Sequence, residues 1–598
     1  MTSQPAHQPH PYLGGRTDVL RALAAWRSGA VDAPGTVLLT GRPGSGRSHV
    51  LTGFLMLCDP EHRARIDLTV LDPATVPPAE LPPPPVFGAA GLTAAQLLWL
   101  VADELGLGAT RSQDVYTLLA HPQEQPVPVV VADVDRAGVL RSLDERARVS
   151  AEVLLPLAQA PGIRLLADVP QEQARWLAER LSPDDVLILD LDQEPWADPA
   201  ALLLQARATV ENPDLAAETA RHADSPLVVQ LVARSLLAVP EGVLEPAPTT
   251  VGEILDLHAE RCGADELTLR RLLAPLALAG EGAELPFSLW EPLASAIAGK
   301  DLSWTFARAQ HLLTPFFDVV EPGGSGAEPA VRLAHPAIAD ELRERFGGAV
   351  RETQRRIATA LTAGLPAAPD RWAAASPYTR AQLVGHALEG GLLPELLAEP
   401  GFLLHAEQVP LRAAVEHLAA TGTDLPALAR TWLRLAPLFT RTEADPALRA
   451  ALLEHACHQD ALPAPEFGID LPWQTLWAHP LPGVGSVAAA VAPDGTPALV
   501  ARIQEEDPRL VAYDARTGAL LEAEAAEFLR PSQEQRAACP LRLSVGGDYV
   551  RIWEADGRQA AVFVSPGPLG GADTTPDGLV LLADSHGVSA LRPTVTAA

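Results

Sequence analysis

The chain is almost without lysine: Lys300 is its only one, so nearly all of its 45 basic residues are arginine. Arginine in place of lysine, beside abundant alanine, proline and glycine, reads as the coding habit of a GC-rich genome rather than a functional choice. Cysteine is scarce as well. Cys58, Cys262, Cys457 and Cys539 lie far apart and form no CxxC pair, which excludes a disulfide framework and fits a reducing, cytoplasmic setting. No apolar run approaches the ~18–20 residues of a membrane span, and residues 1–15 lack the apolar centre of a secretory signal. Positive charge is also short. Against 75 acidic residues it leaves a formal net charge of −30. That balance disfavours nucleic acid, whose phosphates require clustered basic side chains, and anionic membrane surfaces for the same reason.

What the sequence does contain is a long globular chain. Its 598 residues exceed the ~250–300 at which a single core stops growing, so three or more domains are expected. A hydrophobic content of 47% is too high for a disordered chain. The pattern divides it into 1–11 as a flexible N-terminus, 12–240 as an α/β domain with a helical lid, 251–348 as a winged-helix-like domain, 349–462 as a helical domain and 470–598 as a β domain. The expected class is therefore multidomain: a parallel-sheet α/β core, a winged-helix and helical region, and a C-terminal antiparallel β region.

Compact apolar runs at Thr36–Thr40, Val129–Asp133, Ile163–Ala167 and Val186–Leu189 read as buried parallel strands. The proline-rich stretch Pro77–Pro85 reads as a surface connection, and Pro240–Thr249 as a linker. Further on, Leu269, Leu272, Leu273 and Leu276, then Leu411, Val415, Leu418 and Ala419, recur at helical spacing. Phe316–Val320 and Ala330–Leu333 flank the loop Pro322–Gly326, a small hairpin among helices as in a winged helix. Beyond 470, short alternating runs such as Leu510–Asp514 and Tyr549–Trp553 alternate with turns at Thr517-Gly518 and Asp556-Gly557. They resemble propeller blades, but the remaining chain holds only about three at ~40–45 residues each, too few to close a propeller alone.

The most specific motif is Gly41-Arg-Pro-Gly44-Ser45-Gly46-Arg47-Ser48. It matches the G-x-x-x-x-G-K-[ST] phosphate loop except that Arg47 replaces lysine. Its glycines let backbone N–H groups turn inward, and the helix that follows, including His49, aims its positive end at an anion. Arg47 would reach the β/γ-phosphates, and Ser48 would ligate Mg²⁺. A planar guanidinium does not reproduce an ammonium point charge. The plainer alternative is a glycine-rich strand-to-helix turn without ligand. The acidic partner should end a later strand, and Pro128-Val-Val-Val-Ala-Asp133-Val-Asp135-Arg136 supplies it. Asp133 would hold Mg²⁺ through water, with Asp135 as the second catalytic candidate; the alternative is a turn or helix-capping aspartate. No glutamate stands nearby to orient an attacking water.

Taken in order, these segments resemble a STAND-class P-loop NTPase, the signalling branch that includes NB-ARC and NACHT proteins, over residues 12–460. Tyr12-Leu-Gly-Gly-Arg16 is similar to the opening segment that packs near adenine. Ala223-Asp-Ser-Pro226-Leu227 resembles the G-x-P-L segment, whose proline contacts adenine, and Arg332-Leu-Ala-His335-Pro336 is similar to the M-H-D position, whose histidine touches the ADP β-phosphate. Arg371-Trp372, Ser376-Pro-Tyr378 and Leu383-Val-Gly-His386 resemble the helical region of bacterial members that carry propeller repeats. From the residues alone, Pro226 and His335 read equally as helix-start residues.

The departures concern catalysis. Where such relatives read D-A-L-D-E-A, this chain has Ala132-Asp-Val-Asp-Arg136-Ala, which places Arg136 at the acidic catalytic position. Asp168 stands where a polar or basic sensor is usual, and Arg164 reads as a solvated edge residue. Lysine loss does not explain Arg136 or Asp168. The resemblance therefore implies ATP or ADP, with Mg²⁺, bound between core and winged helix with weak or no hydrolysis. It also implies a protein partner engaged through the β region and helical domain, with homo-oligomer formation left open. A nucleotide-free interaction scaffold, a fully active ATPase and a DNA-binding regulator are the competing readings. His455, Cys457 and His458 offer one helical face, short of a metal site, and Asp184, Asp185, Asp190 and Asp192 read as turn and helix-flank charges.

Overall fold

The computed structural model describes residues 13, 15–30, 32–121, 126–239, 247–321, 328–368, 370–504, 509–522 and 528–594. Residues 1–11, Tyr12, Gly14, the Pro322–Gly326 loop and most of the 240–249 linker lie outside the described residues. The chain forms two compact units, Met1–Leu361 and Thr362–Ala598.

In the first unit a parallel sheet runs in the order β2-β3-β4-β1-β5. Its strands are β1 (Thr36–Thr40), β2 (Val86–Gly88), β3 (Val127–Ala132), β4 (Ile163–Asp168) and β5 (Val186–Asp190). The four apolar runs read from the sequence are four of these strands. The short β2 was missed because three residues at a proline-rich edge carry no periodicity. Alternate side chains of the central strands face opposite ways. Val37, Leu39, Val130 and Leu166 join Trp26 and Phe54 in one core. Leu38, Val129, Val131 and Leu165 join Leu97, Leu98 and Val101 in the other. Helices therefore cover both faces, which a parallel sheet of continuous apolar strands requires.

The same unit carries a small antiparallel sheet in the order β6-β8-β7, from β6 (Leu285–Pro286), β7 (Phe317–Val320) and β8 (Ala330–Leu333). Helices Val251–Arg261, Glu266–Leu278 and Pro336–Phe346 surround it. Leu269, Leu272 and Leu273 are fully buried, and Trp290 donates its indole N–H to the Leu272 carbonyl at 2.6 Å.

The second unit opens with helices that include Pro377–Gly390, Gln408–Ala420, Ala427–Thr442 and Pro446–Gln459. Residues that carried the family resemblance here serve packing: Arg371 and the Trp372 indole both bond Glu399, and the Tyr378 hydroxyl meets His386 Nε2 at 3.2 Å. Three antiparallel sheets follow. β10 (Val484–Val491), β11 (Pro497–Ile503) and β12 (Arg509–Asp514) form one; β13 (Leu541–Val545), β14 (Tyr549–Glu554) and β15 (Gln559–Val564) form the next. The last runs β16-β17-β18-β9, from β16 (Gly571–Thr574), β17 (Val580–Asp584) and β18 (Gly587–Pro593) with β9 (Trp473–Pro480). The first strand of the region thus pairs with its final strand, which ties its two ends together.

Candidate functional site

The glycine-rich loop leaves the carboxyl end of β1 and enters the helix Arg47–Cys58, the position at which open α/β sheets bind ligands. Two features of the backbone shape it. Gly44 and Gly46 take φ of 88° and 93°, a region that L side chains rarely adopt. The N–H groups of Gly44, Gly46, Arg47 and Ser48 make no hydrogen bond among the described residues. Four such donors at the positive end of a 12-residue helix suit an anion. Ser48 and His49 are exposed, whereas Ser45 is buried and its hydroxyl lacks a hydrogen-bond partner.

Arg47 is turned into a cluster of carboxylates. Its guanidinium donates to Asp168 at 2.8 Å and to Asp135, and it is 8% exposed against 1% for Asp168. Strand register explains the meeting: Leu39 of β1 lies abreast of Asp168 at the end of β4, and Asp135 follows β3. Burial opposes the Arg47 charge, but Asp168 and Asp135 hold its pKa above the ordinary arginine value. Burial pushes the Asp168 carboxyl up, to about 7, against the pull of Arg47, and its Oδ2 is buried without a partner. Burial also raises Asp133, which follows β3 with a left-handed φ of 57° and leads the short turn Val134–Arg136.

These positions bear directly on magnesium. Arg47 already pairs with Asp135 and Asp168, Arg136 and Arg47 both act on Asp133, and no cluster of three metal-ligating side chains occurs among the described residues. The carboxylates present do not fit a divalent cation beside Ser48, and no step is derived through one.

Arg136 bonds Glu281 at 2.9 Å. Arg141 reaches the other Glu281 oxygen at 3.5 Å and also pairs with Asp340 on the helix Pro336–Phe346. The segment after β3 is thereby tied to the connection ahead of β6 and to the helix Pro336–Phe346. His335 caps that same helix, its Nδ1 accepting the Ala337 N–H at 3.1 Å. Burial lowers the His335 pKa, and the charges of Asp135, Arg136 and Arg47 act on it. Sequence order therefore brought His335 close to the loop's charges, in the helix-start role that the residues alone also suggested.

On its other side the loop is covered. Pro226 opens the helix Pro226–Ala238, and Leu227 donates its N–H to the Gly44 carbonyl at 3.4 Å. A Cβ on Gly44 would lie 2.8 Å from that of Leu227, and one on Gly46 would lie 3.8 Å from Pro226. Arg16 spends its guanidinium on the carbonyls of Leu191, Trp196 and Ser45, and burial lowers its pKa. Asp192, taken from the sequence as a turn charge, accepts the Arg42 N–H at 2.6 Å. A cavity of about 170 Å³ opens toward the helix Pro336–Phe346 instead. Arg42, Arg47, Arg136, Arg141 and Arg146 line it, with Asp135, Glu281 and Asp340.

The Arg136–Glu281 and Arg141–Asp340 bridges, the Leu227 contact and the pairing of Arg47 with Asp168 all escaped sequence reasoning. Each joins residues at least 121 positions apart, and only the charges of Arg136 and Asp168, odd for their positions, hinted at them.

The sheet order with a glycine-rich loop after β1 is consistent with a P-loop NTPase core. No family model matches the chain. No curated protein matches it either. Among solved structures it is similar to a Signal Transduction ATPase with Numerous Domains protein with a tetratricopeptide repeat sensor from Pyrococcus horikoshii, at 12% identity and a TM-score of 0.34, covering 77% of this chain and 67% of that one. The ORC2 protein of Aeropyrum pernix matches at 14% identity and a TM-score of 0.24, over 59% of this chain and 97% of that one. A chain of the Drosophila ORC structure with AT-rich DNA and Cdc6 matches at 14% and 0.20, over 55% and 92%. These likenesses are distant and add nothing to the geometry of the loop. Among the described residues no helix is long and apolar enough to cross a membrane.

Proposed function

We propose that the chain is a STAND-like signalling protein whose loop retains the phosphate binding of ATP or ADP but has lost hydrolysis. The observation that carries this reading is the contrast between an intact backbone cradle and diverted charged groups. The four N–H groups of the loop and the first two helical residues have no partner among the described residues, and backbone donors with a helix terminus suffice to bind phosphate. Turnover needs more: charge placed on the transferring phosphoryl group and a residue that orients water. Arg47 is spent on Asp168 and Asp135, and Arg136 on Glu281. The bound nucleotide would bias the arrangement of core and winged helix only through differential affinity for two states. Output would pass to a protein partner through the β region or helical domain.

A second reading, the nucleotide-free scaffold, draws on one specific observation. The cavity of about 170 Å³ is below the ~300–1,000 Å³ usual for small-molecule sites, and Leu227 fills the space beside Gly44. Denaturing freshly purified protein and chromatographing what it releases separates the two. The proposal expects ADP or ATP in near-stoichiometric amount, or binding of added ADP that Gly46→Ala weakens by roughly tenfold or more, because a side chain strains the left-handed position. An empty protein that ignores added nucleotide would leave the scaffold reading in its place.

A further inference from the structure

Arg136 and Arg141 both pair with carboxylates beyond the turn that follows β3. We propose that they form an electrostatic clamp on Glu281 and Asp340 that holds the winged-helix domain against the α/β core, so that charge competition at these four side chains governs opening. The argument begins with placement. Arg136 lies in the turn after β3 and Arg141 a few residues beyond, while Glu281 lies between the helix Glu266–Leu278 and β6, and Asp340 lies on the helix that His335 caps. The two arginines thus join one segment of the core to two separate elements of the winged helix.

The bonds are mutually supporting. Glu281 accepts Arg136 on one oxygen and faces Arg141 with the other, and Arg141 is shared between Glu281 and Asp340. Glu281 and Arg141 keep only 15% and 20% of their side-chain surface exposed, but Arg136 and Asp340 keep 34% and 47%, so salt reaches the two outer members of the clamp and screens their pairs. Truncating one member would leave its partners partly desolvated and unpaired. The clamp also borders the cavity at the loop, which Arg136, Arg141, Glu281 and Asp340 all line. Opening the domain interface must break it, whether or not nucleotide occupies the loop, so this inference stands apart from the functional reading above.

Hydrogen exchange on the full-length protein tests the clamp, reading peptides that cover 279–285 and 336–346 with β1 and β4 as internal reference. Raising salt to about 1 M, where the Debye length falls to roughly 3 Å, should speed exchange in those two peptides roughly tenfold while the sheet stays protected. The double reversal Arg136→Glu with Arg141→Glu should do the same at low salt. Adding Glu281→Arg and Asp340→Arg should restore protection to within about twofold of the native chain. Unchanged exchange in both salt and reversal would overturn the clamp, as would failure of the four-fold swap to recover while melting remains native. Should the reversals not fold, the salt titration of the unaltered protein decides alone: the two peptides either loosen ahead of the sheet or the proposal fails.

Discussion

Two buried polar clusters, one in each unit, solve the same problem in opposite ways. Beside the loop, Arg47 sits between Asp168 and Asp135, a cation held by carboxylates. In the second unit His455 is buried between the Thr475 hydroxyl, at 3.2 Å, and Gln459, which also bonds Asp584 at 2.9 Å, while neighbouring Glu454 accepts the Thr475 N–H. Burial drives the His455 pKa down to about 4, so the imidazole is neutral at pH 7 and acts as a hydrogen-bonding strut. In the first cluster, Arg47 keeps its charge because Asp168 and Asp135 face it, while burial pushes the Asp168 carboxyl itself up to about 7. In the second the imidazole alone sheds its charge and bonds Thr475 and Gln459 instead. A cation next to a glycine-rich loop can answer an anionic ligand; a neutral imidazole between helix and sheet only joins them.

The largest way to break the comparison is to strand the buried cation. Asp168→Ala should destabilise the first unit by about 3 kcal/mol, since Arg47 loses its most buried partner; chemical denaturation of that unit measures it. In the second unit Glu454→Ala should cost about 2 kcal/mol by leaving the Thr475 N–H without its acceptor, read in the same way. The contrast sharpens with pH. Asp168 is raised from 3.8 to about 7, so the stability it contributes is full below the unfolded value and is lost as pH rises through about 7. His455 is lowered from 6.5 to about 4, so its contribution is present above 6.5 and is lost as pH falls through about 4. Between those limits the two units should respond with opposite slopes of at most about 1.4 kcal/mol per pH unit. Asp168→Asn and His455→Gln should each flatten one slope and leave the other, as unit-resolved hydrogen exchange would show. Smallest of all, Arg441→Ala breaks the exposed pair with Asp548 at 3.0 Å and should change stability by less than about 0.5 kcal/mol.

The sequence made the strands of the parallel sheet legible because buried parallel strands are short, apolar and bounded by turn residues. The loop was legible for a different reason: its glycines are fixed by backbone geometry, as the positive φ of Gly44 and Gly46 bears out. Charged side chains were less readable. Arg47 looked like a drifted lysine and Asp168 like an odd sensor, yet strand register sets them against each other, and register is not written in either segment alone. Arg136 was recognised as misplaced, but its partner Glu281 lies 145 positions away in a connection with no motif. In the C-terminal region, alternation announced antiparallel β structure. The return of β9 to β18 depends on where the chain ends meet, which periodicity does not encode.

The central claim is that the loop keeps phosphate binding while Arg47 and Arg136 are committed elsewhere. Magnesium-dependent phosphate release from ATP, measured on the unaltered protein in the same preparation that binds ADP, tests it most directly. The account predicts release no faster than the protein-free control. Turnover at ~1 s⁻¹ or above, within the ordinary enzymatic range, would show that the arginines leave the carboxylates and serve catalysis, and would contradict it.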